Sequence, residues 1–235
     1  MKLTDDVVNF IQRAVKTAKL VGIEKIIIET DCVRAMDSDK TVVINETNNI
    51  PQLPFDSIGI GVIDLFLSRL EIAKTQKNFS VDAKLDDQDN TVLALAMKAT
   101  GTNIGFKCAN PASIQAPKRV MDEMVRRVAL PDEAVLLMQR GQSAMGADDI
   151  TIISNDDGVS FEFVDVNNDI FKHTFADTAQ PIGNSGADTR FAYRYPIKTL
   201  LSLFKQGADG NFEVGQKGIL SISVNGFKVY VLPRV

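Results

Sequence analysis

An internal duplication constrains this chain more than any other feature of its sequence. Residues 190–206, RFAYRYPIKTLLSLFKQ, read as a strand running straight into a helix. Phe191, Tyr193 and Tyr195 alternate with Ala192 and Arg194, the period of two that gives a strand two distinct faces. Pro196 cannot continue a ladder but suits the first turn of a helix. Beyond it Ile197, Leu200, Leu201 and Phe204 fall three or four apart and predict one apolar stripe, with Lys198, Ser202 and Lys205 opposite. Residues 55–70, FDSIGIGVIDLFLSRL, repeat the plan with Ile63, Phe66, Leu67 and Leu70 as the stripe. Each copy is followed by a similar segment, NFSVDAK at 78–84 and NFEVGQK at 211–217. Alternating runs come next, TVLALAM at 91–97 and GILSISV at 218–224, and then a Gly-Phe-Lys at 105–107 and at 226–228. Parts that keep their order at a spacing of about half the chain describe a sheet-plus-helix module present twice.

Length and composition agree with two modules. The 235 residues are enough for two modest domains with their own cores, and an apolar fraction of 45% is ordinary for globular protein. No apolar run approaches the ~20 residues that a membrane span needs. The opening MKLTDDVVNF has acid where a signal peptide has its basic and apolar regions, so a cytoplasmic location is expected. Cys32 and Cys108 lie far apart in apolar runs and read as free, buried thiols of a reducing compartment. A net charge of −4 argues against a protein coated in nucleic acid, yet leaves room for a basic patch on one face.

Taken in order, the chain opens with a helix capped by Thr4, with Asp5 and Asp6 in its first turn and Gly22 at its end. Strands are predicted at 24–30, 31–36 and 41–46 and up to Ile60, with a polar hairpin at 37–40, and further strands end at 102–108. ANPASIQAPK, residues 109–118, reads as an extended connector held open by its prolines. The second module starts with a strand at 124–130, and a helix follows from Pro131 with Asp132 and Glu133 in its first turn. Val135, Leu136, Met138 and Met145 supply that helix's apolar side. Gly146-Ala-Asp-Asp-Ile-Thr-Ile-Ile-Ser then follows the plan of Gly22-Ile-Glu-Lys-Ile-Ile-Ile-Glu-Thr, and KVYVLPRV forms a closing strand. The expected class is α+β and mostly antiparallel, with four helices, a first domain at 1–108, a connector at 109–118 and a second domain at 119–235.

Covalent chemistry finds little support. The one histidine, His173, sits in an alternating run, and no nucleophile elbow, zinc-protease motif or phosphate-binding loop accompanies it. Gly59-Ile60-Gly61 reads as a bend between strand and helix. Asp82, Asp86, Asp87 and Asp89 lack the central glycine and the twelfth-position glutamate of a calcium loop and read as a solvated hairpin. With no ligand cluster for a metal and no cofactor motif, a non-enzyme is expected.

The polar sides of the helical segments carry the remaining signal. Arg13, Lys16 and Lys19, then Arg69, Lys74 and Lys77, then Arg140, then Lys198 and Lys205 are the candidates for a positive lining that contacts phosphates without reading sequence. Asp64 and Glu71 interrupt the second helix, and each face taken singly is equally an ordinary solvated surface.

Three segments bear a resemblance to a known family. VRAMDSDKTVVINE at 33–46 resembles the stretch of proliferating cell nuclear antigen that passes through a Met-Asp-Ser turn between two strands. FAYRYPIKTLLSLFKQ is similar to that clamp's strand and helix in its second domain, and KVYVLPRV to its closing strand. The order of elements is the sliding-clamp plan, and the short length and diverged connector look more like a viral, tailed-phage-like clamp than a cellular one. The resemblance implies a duplicated two-domain clamp that assembles head to tail as a homotrimeric ring, its helices lining a hole through which double-stranded DNA passes. It implies a processivity factor that binds DNA polymerase and clamp loader through short peptide motifs. By position, the edges that close the ring correspond to 103–108, with Ile104, Phe106 and Cys108, and to 170–175, with Phe171, His173 and Phe175; read alone, each run is equally an internal strand. The partner-peptide pocket carries over to Met36, Ile114, Tyr230, Leu232 and Pro233. The alternative from a different class is a duplicated α+β structural or virion assembly protein that never encircles DNA.

Overall fold

The structure is a computed structural model that describes every residue except 118, 121, 156–157, 176–178, 183–189 and 235; nothing is said of the side chains of 179 and 207–209 either. The connector's last residue, Lys118, thus lies outside the described residues. The chain divides into two units, Met1–Arg119 and Val120–Val235.

The first unit runs α1 (Asp5–Leu20), β1 (Ile26–Glu29), β2 (Val33–Met36), β3 (Val42–Glu46), β4 (Ser57–Ile60), α2 (Ile63–Lys74), β5 (Ser80–Leu85), β6 (Thr91–Ala99) and β7 (Thr102–Lys107). Local chemistry sets the ends of α1. The Thr4 hydroxyl accepts from the Val7 N–H, two aspartates face the positive end of the dipole, and Gly22 takes a positive φ of 75° just beyond the cap. Asp37 builds the β2–β3 turn: its Oδ1 accepts from the N–H groups of Thr41 and Val42, each at 2.8 Å. The strands follow in the order β3-β2-β1-β4-β6-β5, with β7 also on β6. The β4–β6 pair is parallel and the other pairs of this unit are antiparallel. Ile63, Phe66, Leu67 and Leu70 of α2 are all buried, and Phe66 meets Phe106 of β7 edge to face at 5.3 Å.

The second unit runs β8 (Met124–Ala129), α3 (Asp132–Met145), β9 (Asp149–Asn155), β10 (Gly158–Val164), β11 (Ile170–Phe175), β12 (Ala179–Pro181), β13 (Phe191–Pro196), α4 (Ile197–Phe204), β14 (Gly207–Gly215), β15 (Leu220–Val224) and β16 (Phe227–Val231). One sheet has the order β12-β8-β14-β15-β16 and the other β11-β10-β9-β13. Tyr195, where β13 meets α4, is fully buried, and its hydroxyl donates to the Gly218 carbonyl at 2.6 Å.

The duplication seen in the sequence holds in topology. β1-β2-β3 form a meander with β4 returning to pair β1, and β9-β10-β11 form one with β13 returning to pair β9. Helices α2 and α4 follow the returning strands, and the meanders β5-β6-β7 and β14-β15-β16 come next. Even the first residues take part: Lys2 bridges Asp82 of β5, as β8 lies along β14.

Several expectations are corrected. Leu203 is buried in α4 in place of Phe204, which is partly exposed against Phe212 at 5.5 Å. The buried side of α3 is Ala134, Met138 and Gly141, and Leu136 is 52% exposed. Gly141 explains the rotation, because a Cβ there would fall 2.8–2.9 Å from Phe163 and Phe171, so the helix approaches the strands through its glycine. Gly59 is no bend: it pairs with Ile27 inside β4. The connector is not wholly extended, since Pro111–Ser113 form a 3-10 turn capped by the Asn110 side chain. β10 and β12 were not anticipated, and the closing strand stops at Val231.

Candidate functional site

The basic side chains of the two units divide by what they already touch. On α1, Arg13 and Lys16 are exposed, while the Lys19 ammonium lies 2.6 Å from Asp64, whose hydrogen bond and charge raise its pKa. On α2, the Arg69 guanidinium turns toward the sheet, donating to the Gly105 carbonyl at 2.7 Å and lying 6.0 Å from the Phe106 ring centre. Lys74, the last residue of α2, donates to the side-chain oxygens of Asn9 and Gln12. Lys77 lies beyond the helix, in the turn before β5, and is exposed. In the second unit Arg140 on α3 and Lys198 on α4 are exposed, with Lys198 3.5 Å from Asp148, and Lys205 is the exposed C-cap of α4. Arg13, Lys16 and Arg140 are thus exposed, whereas Arg69 and Lys74 of α2 serve contacts within the first unit.

The two strands assigned to ring closure are edge strands among the described residues. β7 pairs β6 and β11 pairs β10, and no second partner is found for either. Their named side chains point inward. Phe106, Cys108 and Phe175 are buried, and Ile104, Phe171 and His173 are partly buried. His173 lies 5.5 Å from Phe161 and Phe171 lies 6.1 Å from it, ring centre to ring centre. What such an edge offers outward is backbone, flanked by the exposed Asn103, Gly105 and Lys107 on β7 and Ile170, Lys172 and Thr174 on β11.

Within the first unit, Met36 and Ile114 line one pocket of about 350 Å³ together with Glu24, Lys25, Asp37, Ser38, Lys40, Ser113 and Gln115. Two apolar side chains in a polar, charged rim suit a short peptide with an apolar anchor. The polar rim escaped the sequence reading, which treated 37–40 only as a turn; Met36 before Asp-Ser, next to a strand, was the available signal. The connector is fastened beside this pocket. Ala109 N–H donates to the Gly59 carbonyl at 2.9 Å, and Arg34 Nη1 donates to the Ala116 carbonyl at 3.3 Å. Within the second unit Tyr230 is partly exposed on β16 opposite Ser221. Leu232 and Pro233 are partly exposed past its end, where the Arg234 N–H donates to the Arg194 carbonyl at 2.7 Å.

Among the described residues, single ligand atoms of Glu29, Asp31 and Cys32 lie within 4.8 Å of one another. The chemistry of this cluster suits structure better than coordination. Arg34 clasps Glu29 through two bonds of 2.8 Å, and the Cys32 thiol donates to the same carboxylate at 2.9 Å. Burial, then that carboxylate, pushes the thiol up to about 12. Both cysteines are free, and burial pushes Cys108 up to about 12 as well. No helix among the described residues is long and apolar enough to cross a membrane.

No protein-family model matches the chain, and no curated protein sequence matches it significantly. Solved structures do. The proliferating cell nuclear antigen of A. fulgidus, in a structure with the C-terminal region of FEN-1 bound, superposes with a TM-score of 0.61 at 16% identity, covering 100% of this chain and 97% of that one. This chain has the sliding-clamp fold. The clamp of Entamoeba histolytica gives 0.59 at 15% identity over 96% of this chain and 95% of its own. That of Thermococcus kodakaraensis gives 0.59 at 14% over 98% of each. The clamp likeness therefore runs through both units and the connector, well beyond the three segments in which the sequence resemblance was found.

Proposed function

We propose that this protein is a sliding clamp, a DNA polymerase processivity factor that closes as a homotrimer around duplex DNA. The observation that carries the reading is the pair of edge strands, β7 in the first unit and β11 in the second, on a chain whose whole length follows the clamp fold. Three copies joined head to tail through those edges make a closed ring of six modules. A ring holds DNA by topology, so its contacts can be weak and screened, which fits a chain of net charge −4 with a few exposed cations on its helices. The role is that of a scaffold and not a catalyst. Polymerase and loader bind by short peptides, with the Met36–Ile114 pocket of the first unit as an apolar seat; Tyr230, Leu232 and Pro233 of the second unit are peptide contacts by the same resemblance. The peptide bound to the A. fulgidus clamp supports that mode of binding. Viral origin and action in a host cytoplasm belong to the same proposal.

Charge reversal at Lys16, Lys198 and Lys205 tests the function. The triple variant should keep its fold and its mass yet shorten the products of primer extension by its polymerase. Undiminished processivity would remove these lysines from the DNA path and favour the alternative of a duplicated assembly protein.

A further inference from the structure

Helix α1 presents two amides and two cations in one row. Asn9, Gln12, Arg13 and Lys16 are spaced three or four apart and so share a helix face. Asn9, Arg13 and Lys16 are exposed and Gln12 is partly so. The Lys74 ammonium reaches this row from the end of α2 and donates to Asn9 Oδ1 at 2.9 Å and to Gln12 Oε1 at 2.5 Å. It also lies 6.0 Å from the centre of the Phe79 ring. An ammonium has donors only, so it engages the oxygen end of each amide and leaves each NH2 end for another acceptor. Phosphate oxygens accept only. An amide turned the other way would present its own oxygen to them, so the orientation imposed by Lys74 is the useful one. Holding the ammonium there has a cost, since partial burial and the nearby Lys16 charge both lower its pKa.

Resting on the reading of this chain as a clamp, we propose that Lys74 is a positioning residue: it fixes the amides of Asn9 and Gln12 as neutral donors that, with Arg13 and Lys16, contact the phosphates of duplex DNA. Lys74 itself is then no phosphate ligand. The contact mixes two bonds that release no counterion with two that do, and the salt dependence of binding separates the kinds.

The test compares wild type, Lys74→Met, Asn9→Ala/Gln12→Ala, the triple variant and Lys16→Gln, each titrated with short linear duplex DNA across a salt series. Lys74→Met and the amide double variant should each weaken binding by roughly ten- to a hundredfold, the net worth of two hydrogen bonds. The triple variant should be no weaker than either, because both changes remove one unit. Lys16→Gln should reduce the salt slope by about 1 for each copy of Lys16 in contact with DNA, whereas the amide variant leaves it unchanged. Additive losses in the triple variant, with a salt slope reduced in Lys74→Met as it is in Lys16→Gln, would overturn the proposal and make Lys74 a direct ligand. The side-chain amide signals of Asn9 and Gln12 in heteronuclear spectra give a readout that needs no DNA. They should shift in Lys74→Met and, in wild type, on adding DNA; signals indifferent to Lys74 would sink the positioning role. Wild type that binds no duplex at any salt would instead overturn the clamp reading and the phosphate contact with it, while the amide signals still report on Lys74.

Discussion

The carbonyl oxygen of Ala109 lies 2.5 Å from where a Cβ on Gly59 would sit, with Ile114 Cδ1 at 3.1 Å. Gly61 is similar, since its Cβ would meet that of Ala109 at 2.9 Å. These two glycines let the connector pass directly over β4, and they place Ile114 beside Met36. Gly59→Ala should therefore displace the connector, because the obstructing atom is the backbone carbonyl oxygen of Ala109, the residue whose N–H donates to the Gly59 carbonyl. Destabilisation of roughly 1–3 kcal/mol is expected, the usual cost of overpacking a tight site. Urea unfolding measures it, and faster amide exchange at Ala109 would locate it.

Met36→Ala combined with Leu232→Ala tests the peptide seat. Affinity for a polymerase-derived peptide should fall by about tenfold or more, the loss typical of truncated apolar anchors, with the mass of the assembly unchanged. Calorimetric titration checks this, and normal affinity in the double variant would remove both residues from the seat.

How much of this was legible in the sequence depends on the distance over which each feature is determined. The cap of α1 is local, and Thr4, the two aspartates and Gly22 announced it. The duplication was equally legible, because Ile63, Phe66, Leu67 and Leu70 keep one face of α2 on the sheet, and all are buried. Gly59 was misread because its reason, Ala109, lies fifty residues further along the chain. The face of α3 was misjudged for a similar cause: Leu136 looks like core, but Gly141 against Phe163 and Phe171 sets the rotation. The partners of Lys74 could not be read at all, as Asn9 and Gln12 are more than sixty residues away from it. The Met-Asp-Ser turn marked Met36, whereas the charged rim of its pocket draws on Glu24 and Lys25, which precede β1.

Stability should fall at alkaline pH through the thiols. Burial pushes Cys108 from the ordinary value of 9.0 to about 12. Above 9.0 the unfolded chain therefore releases a proton that the folded chain retains. The stabilisation is complete below that pH and is lost progressively as pH rises toward 12, by at most about 1.4 kcal/mol per pH unit for one thiol. Urea midpoints measured on either side of the ordinary thiol value should drop, and Cys108→Ala should drop less. An identical slope in that variant would show that Cys108 does not contribute.

The central claim is a closed ring of three copies, and absolute mass in solution tests it most directly. Light scattering over a wide range of concentrations should give three protomers, dissociating on dilution as β7 and β11 edges part. A strict monomer at the highest concentration would contradict the ring, and with it the encirclement of DNA.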